Sequence, residues 1–289
     1  MNQNLPEISV ITPSYNQGIH IEETILSVLN QNYPNLEYII IDGGSNDGTV
    51  EVIKKYESRI NYWISEKDNG QADAINRGFA MATGDIICWL NSDDYFLPNT
   101  LNYISQHLDT TKNEILFGEV DYIFEPDKAI KPSDVKNKFT HYNLSLYDYI
   151  IQPGSFWTKN FLANTGSLNE SLHFVFDWEW FLRAKINHSN FKYVEKVFAV
   201  YRVHDAHKTS NGGDRRQKEI EYILEKYNSK NVLKGFKFMR DERPKIDKVL
   251  QFSVKNKLTR FDMKLLKLCY PQYFFNLPDI VLRQLYELT

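Results

Sequence analysis

Apolar residues follow two different patterns along the first ninety residues, short continuous runs and helical spacing. Short apolar, β-branched runs predict strands at 7–12, 36–41, 62–65 and 85–90. Between them, apolar residues at helical spacing predict helices over 21–30, 50–56 and 72–82. Strands that alternate with helices are typical of βαβ units. The pattern therefore predicts an α/β fold with a mixed, mostly parallel sheet flanked by helices.

The remainder of the chain follows a weaker pattern. Short apolar runs at 115–117 and 193–201 enclose an aromatic and acidic cluster at 174–181. After the glycine-containing stretch 211–214 the pattern becomes helical, with faces rich in Lys and Arg. We therefore predict one α/β domain over residues 1–214 and a helical C-terminal extension over residues 215–289.

Carboxylates stand directly after two of the predicted strands. Asp42 ends the second strand, and the adjacent pair Asp93 and Asp94 follows the fourth. Open α/β sheets bind ligands at the carboxyl ends of their strands. Two neighbouring carboxylates repel each other, and a Mg²⁺-type cation that shares them with substrate phosphates would reconcile them. A solvated turn is the alternative, because Asn-Ser-Asp-Asp is also favourable turn chemistry.

The loop 42–49 is rich in glycine, which permits close approach of the backbone to a ligand. Its Asp42 carboxylate can accept a hydrogen bond from a ribose hydroxyl or a base N–H. Two successive turns that end in a helix-capping Thr49 explain residues 44–49 equally well, but they do not explain why Asp42 ends an apolar strand. Neither GxGxxG nor GxxxxGK[ST] occurs in the chain, which disfavours dinucleotide and P-loop sites.

The composition is that of an ordinary globular protein, with 42% hydrophobic and 25% charged residues among 289. The two cysteines form neither a disulfide framework nor a zinc spacing, which favours a reducing compartment. The sequence contains no signal-peptide pattern and no apolar run long enough to span a bilayer. We therefore expect a cytoplasmic protein.

The net charge of −3 conceals an uneven distribution. Residues 230–289 contain 13 Lys and Arg against 6 Asp and Glu, a local +7, which leaves −10 for residues 1–229. The basic tail, with an amphipathic pattern at 261–268, either packs on the main domain or makes peripheral contact with the anionic inner face of the cell membrane. Packing is the ordinary use of such a helix. The acidic main region disfavours nucleic acid as a partner.

Four ordered segments resemble the motifs of family 2 glycosyltransferases, which are inverting enzymes with the GT-A fold, a Rossmann-like fold of nucleotide-diphospho-sugar transferases. The segments are ITPSYN at 11–16, DGGSNDGT at 42–49, NGQ and NRG at 69–71 and 76–78, and NSDD at 91–94. The resemblance covers residues 6–210. It implies a nucleotide-sugar-binding half at about 6–115, an acceptor half at about 116–214, and a donor that is commonly a UDP-sugar.

The resemblance also implies roles for individual residues. The nucleotide sugar would be contacted by Pro13, Ser14, Tyr15, Asn16, Asp42, Gln71, Asn76, Asp93 and Arg202. A manganese or magnesium ion held by the diphosphate would be bound by Asp94, with Asp93 and His204 as further ligands. Many relatives carry Asp at positions 43 and 91, where this chain has Gly43 and Asn91.

The family places an acidic general base six positions before an Arg at the start of a helix. Asp177 fits this position relative to Arg183, and Glu179 is the alternative base. A helix N-cap is the structural alternative for Asp177. The resemblance places an acceptor sugar against Trp157 or Trp178, and core packing is the alternative for both rings.

The resemblance thus implies a metal-dependent inverting glycosyltransferase. It would move a hexosyl or N-acetylhexosaminyl group from a UDP-sugar to a glycan or lipid-linked saccharide in bacterial surface polysaccharide biosynthesis. One alternative is a sugar nucleotidyltransferase, although residues 12–16 lack a basic, glycine-rich triphosphate loop. The other is a non-catalytic nucleotide-sugar or glycan-binding protein, which the presence of Asp93, Asp94 and Asp177 disfavours.

Overall fold

The computed structural model describes residues 5–204, 212–256 and 258–289. The chain divides into two compact units. The first comprises Met1–Lys136 with Ile150–Asn211, and the second comprises Asn137–Tyr149 with Gly212–Thr289. The predicted strands and the candidate site residues in the described part of the chain all belong to the first unit.

The first unit is built on one large sheet. Its strands are β1 (Ile8–Ser14), β2 (Leu36–Asp42), β3 (Tyr62–Ser65), β4 (Ile86–Trp89), β5 (Tyr95–Phe96), β6 (Glu114–Phe124), β7 (Ala129–Pro132), β8 (Ser155–Thr158) and β9 (Asn190–Val203). The order is β3-β2-β1-β4-β8-β6-β9-β5, with β7 paired to β6. Strands β1 to β4 are mutually parallel, whereas β8 is antiparallel to both of its neighbours. The predicted mixed, mostly parallel sheet is confirmed.

Three helices follow the first strands as the apolar spacing predicts: α1 (Ile21–Leu29), α2 (Thr49–Lys55) and α3 (Gln71–Met81). The structure adds α4 (Thr100–His107), α5 (Val135–His141, which continues into the second unit), α6 (Lys159–Thr165) and α7 (Phe176–Ile186). Short 3₁₀ turns lie at Glu57–Arg59 and Gln152–Gly154. Helix α3 approaches β1 closely, since a Cβ atom added at Gly78 would lie 2.4 Å from Cγ2 of Ile11.

Strand β1 extends beyond its predicted end at residue 12 and continues through Pro13 to Ser14. The carbonyl of Ser14 accepts the N–H of Gly43, so Ser14 faces β2, and Pro13 therefore faces the β4 side. Pairing with β4 ends at Ile11 and Trp89, two residues before Pro13. Because Pro13 has no N–H to donate, it is tolerated beyond the end of that ladder.

An aromatic core joins β4, β8 and α7. Trp157 and Trp180 have ring centroids 4.9 Å apart, and Trp89 lies 5.1 Å from Trp157. The Trp180 indole N–H donates to the carbonyl of Gly166 at 2.7 Å, so its polar group is satisfied. Helix α7 carries buried residues on most of its faces, which explains why the cluster at 174–181 lacks an amphipathic pattern. This packing holds the start of α7 at the edge of the sheet.

Glu119 on β6 anchors the beginning of α5. Its carboxylate accepts the backbone N–H groups of Val135 at 3.0 Å and Lys136 at 2.8 Å. The hydroxyl of Tyr193 donates to it at 2.6 Å, and Ser133 donates as well. Burial raises the pKa of Glu119, but these hydrogen bonds outweigh burial and hold the pKa below its ordinary value.

The second unit is helical, as predicted for residues after 214. Its helices are α8 (Gly213–Tyr227), α9 (Lys230–Asp241), α10 (Arg243–Lys255), α11 (Asp262–Cys269), α12 (Pro271–Phe274) and α13 (Asp279–Leu288), with a 3₁₀ turn at Thr259–Phe261. Residues 137–149 belong with them, because Tyr142 donates to Glu287 at 2.5 Å and Asn228 donates to the Ser145 carbonyl at 2.7 Å. The domain boundary at 214 stays a prediction. Within the described residues, no helix combines the length and apolar character needed to cross a membrane.

Candidate active site

A cavity of about 700 Å³ opens at the carboxyl ends of the parallel strands. The residues that follow each strand supply its wall: Pro13, Ser14 and Tyr15 from the end of β1, Gly43 and Gly44 after β2, Lys67 and Asp68 after β3, and Asn91, Ser92, Asp93 and Asp94 after β4. Phe176 and Asp177 at the start of α7 line it as well. The volume suits a small-molecule ligand, and the position is where open α/β sheets bind one.

The residues at the end of β1 divide into cavity-lining and structural ones. Tyr15 is 63% exposed and lines the cavity together with Pro13. Ser14 is buried, and its hydroxyl finds no hydrogen-bond partner among the described residues. Asn16 does not line the cavity; instead its side chain accepts the N–H of Asn46 at 3.1 Å and its own N–H donates to Ser45 at 2.7 Å. Asn16 thus joins the loops after β1 and β2.

The carboxylate of Asp42 is fully buried and lies beneath its own loop. One oxygen accepts the N–H groups of Gly44 at 3.2 Å and Ser45 at 2.9 Å and the hydroxyl of Ser65 at 2.6 Å. The other accepts the hydroxyl of Ser45 at 2.5 Å. Asp42 is absent from the cavity wall, and its hydrogen bonds hold the loop between β2 and α2 against the end of β3.

The two residues of α3 that were predicted to contact the nucleotide sugar, Gln71 and Asn76, point in different directions. Gln71 lines the cavity and donates to the side chain of Asn91 at 2.8 Å. Asn76 lies away from the cavity and clamps the chain before α7. Its side chain accepts the N–H of Leu168 at 2.8 Å and donates to the Leu168 carbonyl at 3.1 Å and to Glu170 at 2.8 Å.

The adjacent carboxylates after β4 have different surroundings. Asp94 is only 2% exposed, and it accepts the backbone N–H of Arg202 at 2.9 Å and the side-chain amide of Asn91 at 3.3 Å. Burial, followed by the neighbouring charge of Asp93, raises the pKa of Asp94 well above its ordinary value. The Asp93 carboxylate is more accessible and contacts His204, whose Nε2 lies 3.2 Å from its Oδ2.

Arg202 supports the loop that carries these carboxylates. Its guanidinium donates to the carbonyl of Asp93 at 2.9 Å, to Glu125 at 2.6 Å and to Glu23. It is buried and does not line the cavity. The hydrogen bond to Asp93 raises the pKa of His204, although burial opposes this shift. The structure therefore brings His204 next to the Asp93 side chain, and Arg202 holds the Asp93 backbone carbonyl.

Asp93 lines the cavity, and Nε2 of His204 lies 3.2 Å from its Oδ2, so the pair offers an oxygen and a nitrogen donor side by side. Among the residues that the structure describes, no group of three or more His, Cys, Asp or Glu could hold a metal ion alone. Manganese and magnesium sites that serve phosphates often use one or two protein ligands and complete the shell with phosphate oxygens and water. The residues present fit a cation of that kind, shared with a bound diphosphate.

Asp177 lines the same cavity from the first turn of α7. The helix begins at Phe176 and its N-cap is Val175, so Asp177 is not the N-cap. One of its carboxylate oxygens accepts the N–H of Trp178 at 2.8 Å. Glu179, the alternative base, is 2% exposed and forms an ion pair with Arg183 at 3.0 Å. Of the two acidic residues, only Asp177 lines the cavity.

The two tryptophans predicted to face an acceptor are core residues in this structure. Trp157 is 0% exposed and Trp178 is 2% exposed, so neither offers a face to a sugar ring. The cavity also includes Lys67, Asp68 and His173, which the motifs did not single out. Asp68 carries the clearest sequence signal among them, because it is a polar residue directly after a predicted strand.

The sheet order and the position of the cavity at its parallel edge are those of the GT-A fold of glycosyltransferases. The chain belongs to glycosyl transferase family 2, whose sequence model matches residues 9–189. The predicted family and fold class are both confirmed.

Three known proteins show the extent of the similarity. The chain is 44% identical over 99 residues to the putative teichuronic acid biosynthesis glycosyltransferase TuaG of Bacillus subtilis, a match that covers 33% of this chain and 39% of TuaG. The structure of S. aureus TarS 1–349 in complex with UDP-GlcNAc has a TM-score of 0.61 and 18% identity, and the match covers 97% of this chain and 90% of that one. A mannosyltransferase from Pyrobaculum calidifontis in complex with GDP-Man and Mn²⁺ has a TM-score of 0.58 and 19% identity, with 78% and 64% covered. The match to this chain covers 50% of the length of one curated relative and 39% of the length of another.

Proposed function

We propose that this chain transfers a hexosyl or N-acetylhexosaminyl group from a nucleotide sugar, with a UDP-sugar as the first candidate, to a hydroxyl of a glycan or lipid-linked saccharide. The observation that carries this proposal is the presence of Asp93 and Asp177 on the wall of one cavity of about 700 Å³. A nucleotide-sugar donor is supported by TarS, which binds UDP-GlcNAc, and by the mannosyltransferase, which binds GDP-Man.

The proposed reaction is a single displacement with inversion. The acceptor hydroxyl oxygen forms a bond to the anomeric carbon, the bond from that carbon to the diphosphate oxygen breaks, and its electron pair leaves with the nucleoside diphosphate. The acceptor proton passes to the Asp177 carboxylate, which acts as the general base. Asp177 suits this role because it lines the cavity and is held at the start of α7 by the aromatic core.

The metal site is part of the proposal. Asp93 and His204 would hold a manganese or magnesium ion together with diphosphate oxygens, and Asp94 would supply a further oxygen. Such an ion, when bound, offsets the negative charge that develops on the leaving diphosphate. Arg202 contributes by holding the Asp93 carbonyl and thereby the ligand loop.

Surface polysaccharide biosynthesis is the proposed setting, because the similar protein TuaG is a putative glycosyltransferase of teichuronic acid biosynthesis. We also propose that the second unit contacts an anionic membrane surface. It carries an excess of basic residues and several exposed, large apolar side chains, namely Phe252, Val254, Phe261, Leu268, Phe275 and Ile280. Basic charge together with exposed apolar side chains is the combination that binds anionic lipid.

The test is a panel of UDP- and GDP-sugars whose binding is measured by calorimetry in the presence and absence of Mn²⁺. Turnover is measured as the nucleoside diphosphate released when saccharide acceptors are added. Asp177→Asn should keep donor affinity within about threefold and lower kcat by about 10²–10⁴-fold, which is the usual contribution of a general base. Full activity of Asp177→Asn would contradict the assigned base. Binding without turnover on any acceptor would favour a binding protein, and pyrophosphate release from a nucleoside triphosphate would favour a nucleotidyltransferase.

A further inference from the structure

The loop after β3 lies directly beside the loop after β2 at the cavity. The two strands pair in parallel, and Asp42 and Ser65 form their last register pair. The N–H of Glu66 then donates to the Asp42 carbonyl at 2.9 Å, which keeps the two chains together beyond the strands. Residues 43–44 and 67–68 therefore stand side by side on the cavity wall.

Asp68 fills the space that a side chain at position 43 would occupy. A Cβ atom added at Gly43 would lie 2.7 Å from Oδ2 of Asp68, 3.1 Å from its Cγ and 3.2 Å from its Oδ1. Contacts this short are not compatible with both side chains in their present positions. The φ angle of Gly43 does not lie in the left-handed region that would itself favour glycine. The obstacle to a larger side chain at position 43 is therefore the Asp68 carboxylate.

The Asp68 carboxylate is oriented and retains capacity to bind a ligand. Its Oδ1 accepts the N–H of Gly70 at 2.8 Å, which fixes the side chain. Its Oδ2 accepts no hydrogen bond from any residue in the described part of the chain, and the side chain is only partly buried. Asp42, by contrast, is fully buried and already accepts four hydrogen bonds from the protein.

We infer that Asp68 recognises the nucleobase of the donor, in place of the carboxylate that many relatives carry at position 43. This inference rests on the proposed function. The Asp68 Oδ2 atom accepts a hydrogen bond from a ring N–H of the base, and the exposed ring of Tyr15 gives the base a face to stack on. Uracil and guanine have such a ring N–H, whereas cytosine and adenine present a ring nitrogen without hydrogen at the corresponding position.

The test compares UDP with N3-methyl-UDP, which lacks the N–H, on the full chain and its variants by calorimetry. The wild type should bind UDP about 10- to 100-fold more tightly than the methylated nucleotide, as expected for one hydrogen bond to a charged group. Asp68→Ala should lose a similar factor for UDP and should no longer distinguish the two nucleotides. Glu66→Ala, which removes an exposed neighbouring carboxylate, is the matched control and should keep the discrimination. A guanine donor is tested in the same way with GDP and N1-methyl-GDP.

A reciprocal exchange separates recognition from damage to the fold. Gly43→Asp alone should weaken UDP binding, because its side chain collides with Asp68. Gly43→Asp with Asp68→Gly should restore both binding and discrimination, and thermal melting should show each variant folded. Wild-type discrimination that persists in Asp68→Ala, or its absence from a wild type that binds UDP, would overturn the inference while leaving the proposed transferase intact. A wild type that binds no nucleotide would overturn both.

Discussion

Asp42→Asn tests whether the carboxylate at the end of β2 acts through the loop or through a ligand. The side chain accepts four hydrogen bonds at 2.5–3.2 Å, three of them on one oxygen. Asparagine keeps three of these bonds at best, and it loses the charge that strengthens each of them. Hydrogen bonds to a charged group contribute roughly 1.5–3 kcal/mol, against about 0.5–1.5 kcal/mol for neutral ones.

Three bonds that each weaken by about 1 kcal/mol predict a loss of about 2–4 kcal/mol in the free energy of unfolding. For a unit of this size, roughly 2–4 °C of melting temperature is lost per kcal/mol, so Tm should fall by about 5–15 °C. The measurement is thermal unfolding followed by circular dichroism, with UDP titration on the same samples. Asp47→Asn is the control, because Asp47 accepts three hydrogen bonds in the neighbouring turn but is exposed, and it should cost less than about 1 kcal/mol.

The two explanations of Asp42 predict different results. If Asp42 holds the loop, Asp42→Asn lowers Tm, and any loss of nucleotide affinity follows from the loop. An unchanged Tm with a large loss of UDP affinity would refute this reasoning and would make Asp42 a direct ligand contact.

Two further predictions concern stability and membrane binding. Glu119→Gln should lower the free energy of unfolding by about 1–3 kcal/mol at pH 7, because a half-buried carboxylate with several donors is replaced by an amide. The pKa of Glu119 is lowered in the folded protein, so its stabilisation is present above the ordinary pKa of 4.5 and is lost as pH falls through the folded value. Urea unfolding at pH 7 and pH 3 should therefore show a gap between wild type and variant that narrows in acid, and a constant gap would contradict the assignment. Leu268→Gln with Phe275→Gln should reduce co-sedimentation with phosphatidylglycerol vesicles severalfold, whereas Ile130→Gln, which changes an exposed apolar side chain of the first unit, should not. Equal binding to neutral phosphatidylcholine vesicles would count against an anionic lipid partner.

The alternation of strands and helices in residues 7–90 predicts the local elements closely, because each depends on neighbouring side chains only. The helices at 21–30, 50–56 and 72–82 and the parallel strands between them are present as predicted. The end of β1 is the instructive difference. The predicted strand ends at residue 12, before Pro13, but whether a missing N–H matters depends on which neighbouring strand faces it. That neighbour is β4, which lies far along the chain and pairs Trp89 with Ile11.

The sites of Asp93 and Asp177 illustrate the same division. A carboxylate directly after an apolar strand can be recognised from the sequence, since strand ends of a parallel sheet share one edge. The motifs could not reveal that Asp42 turns under its loop, that Trp157 and Trp178 are enclosed in the core, or that Asn76 clamps residue 168. The direction of a side chain at a given position is set by packing and hydrogen bonds to residues distant in the chain.

The sequence by itself determined the α/β class, the family and the strand ends that carry the chemistry, because periodicity and short motifs are local properties of the chain. Only the tertiary structure decided which of those polar residues line one cavity and which support it. It also placed residues 137–149 with the C-terminal helices and set Asp68 against Gly43. Such arrangements arise from contacts between segments far apart in sequence, whose geometry is fixed when the core packs.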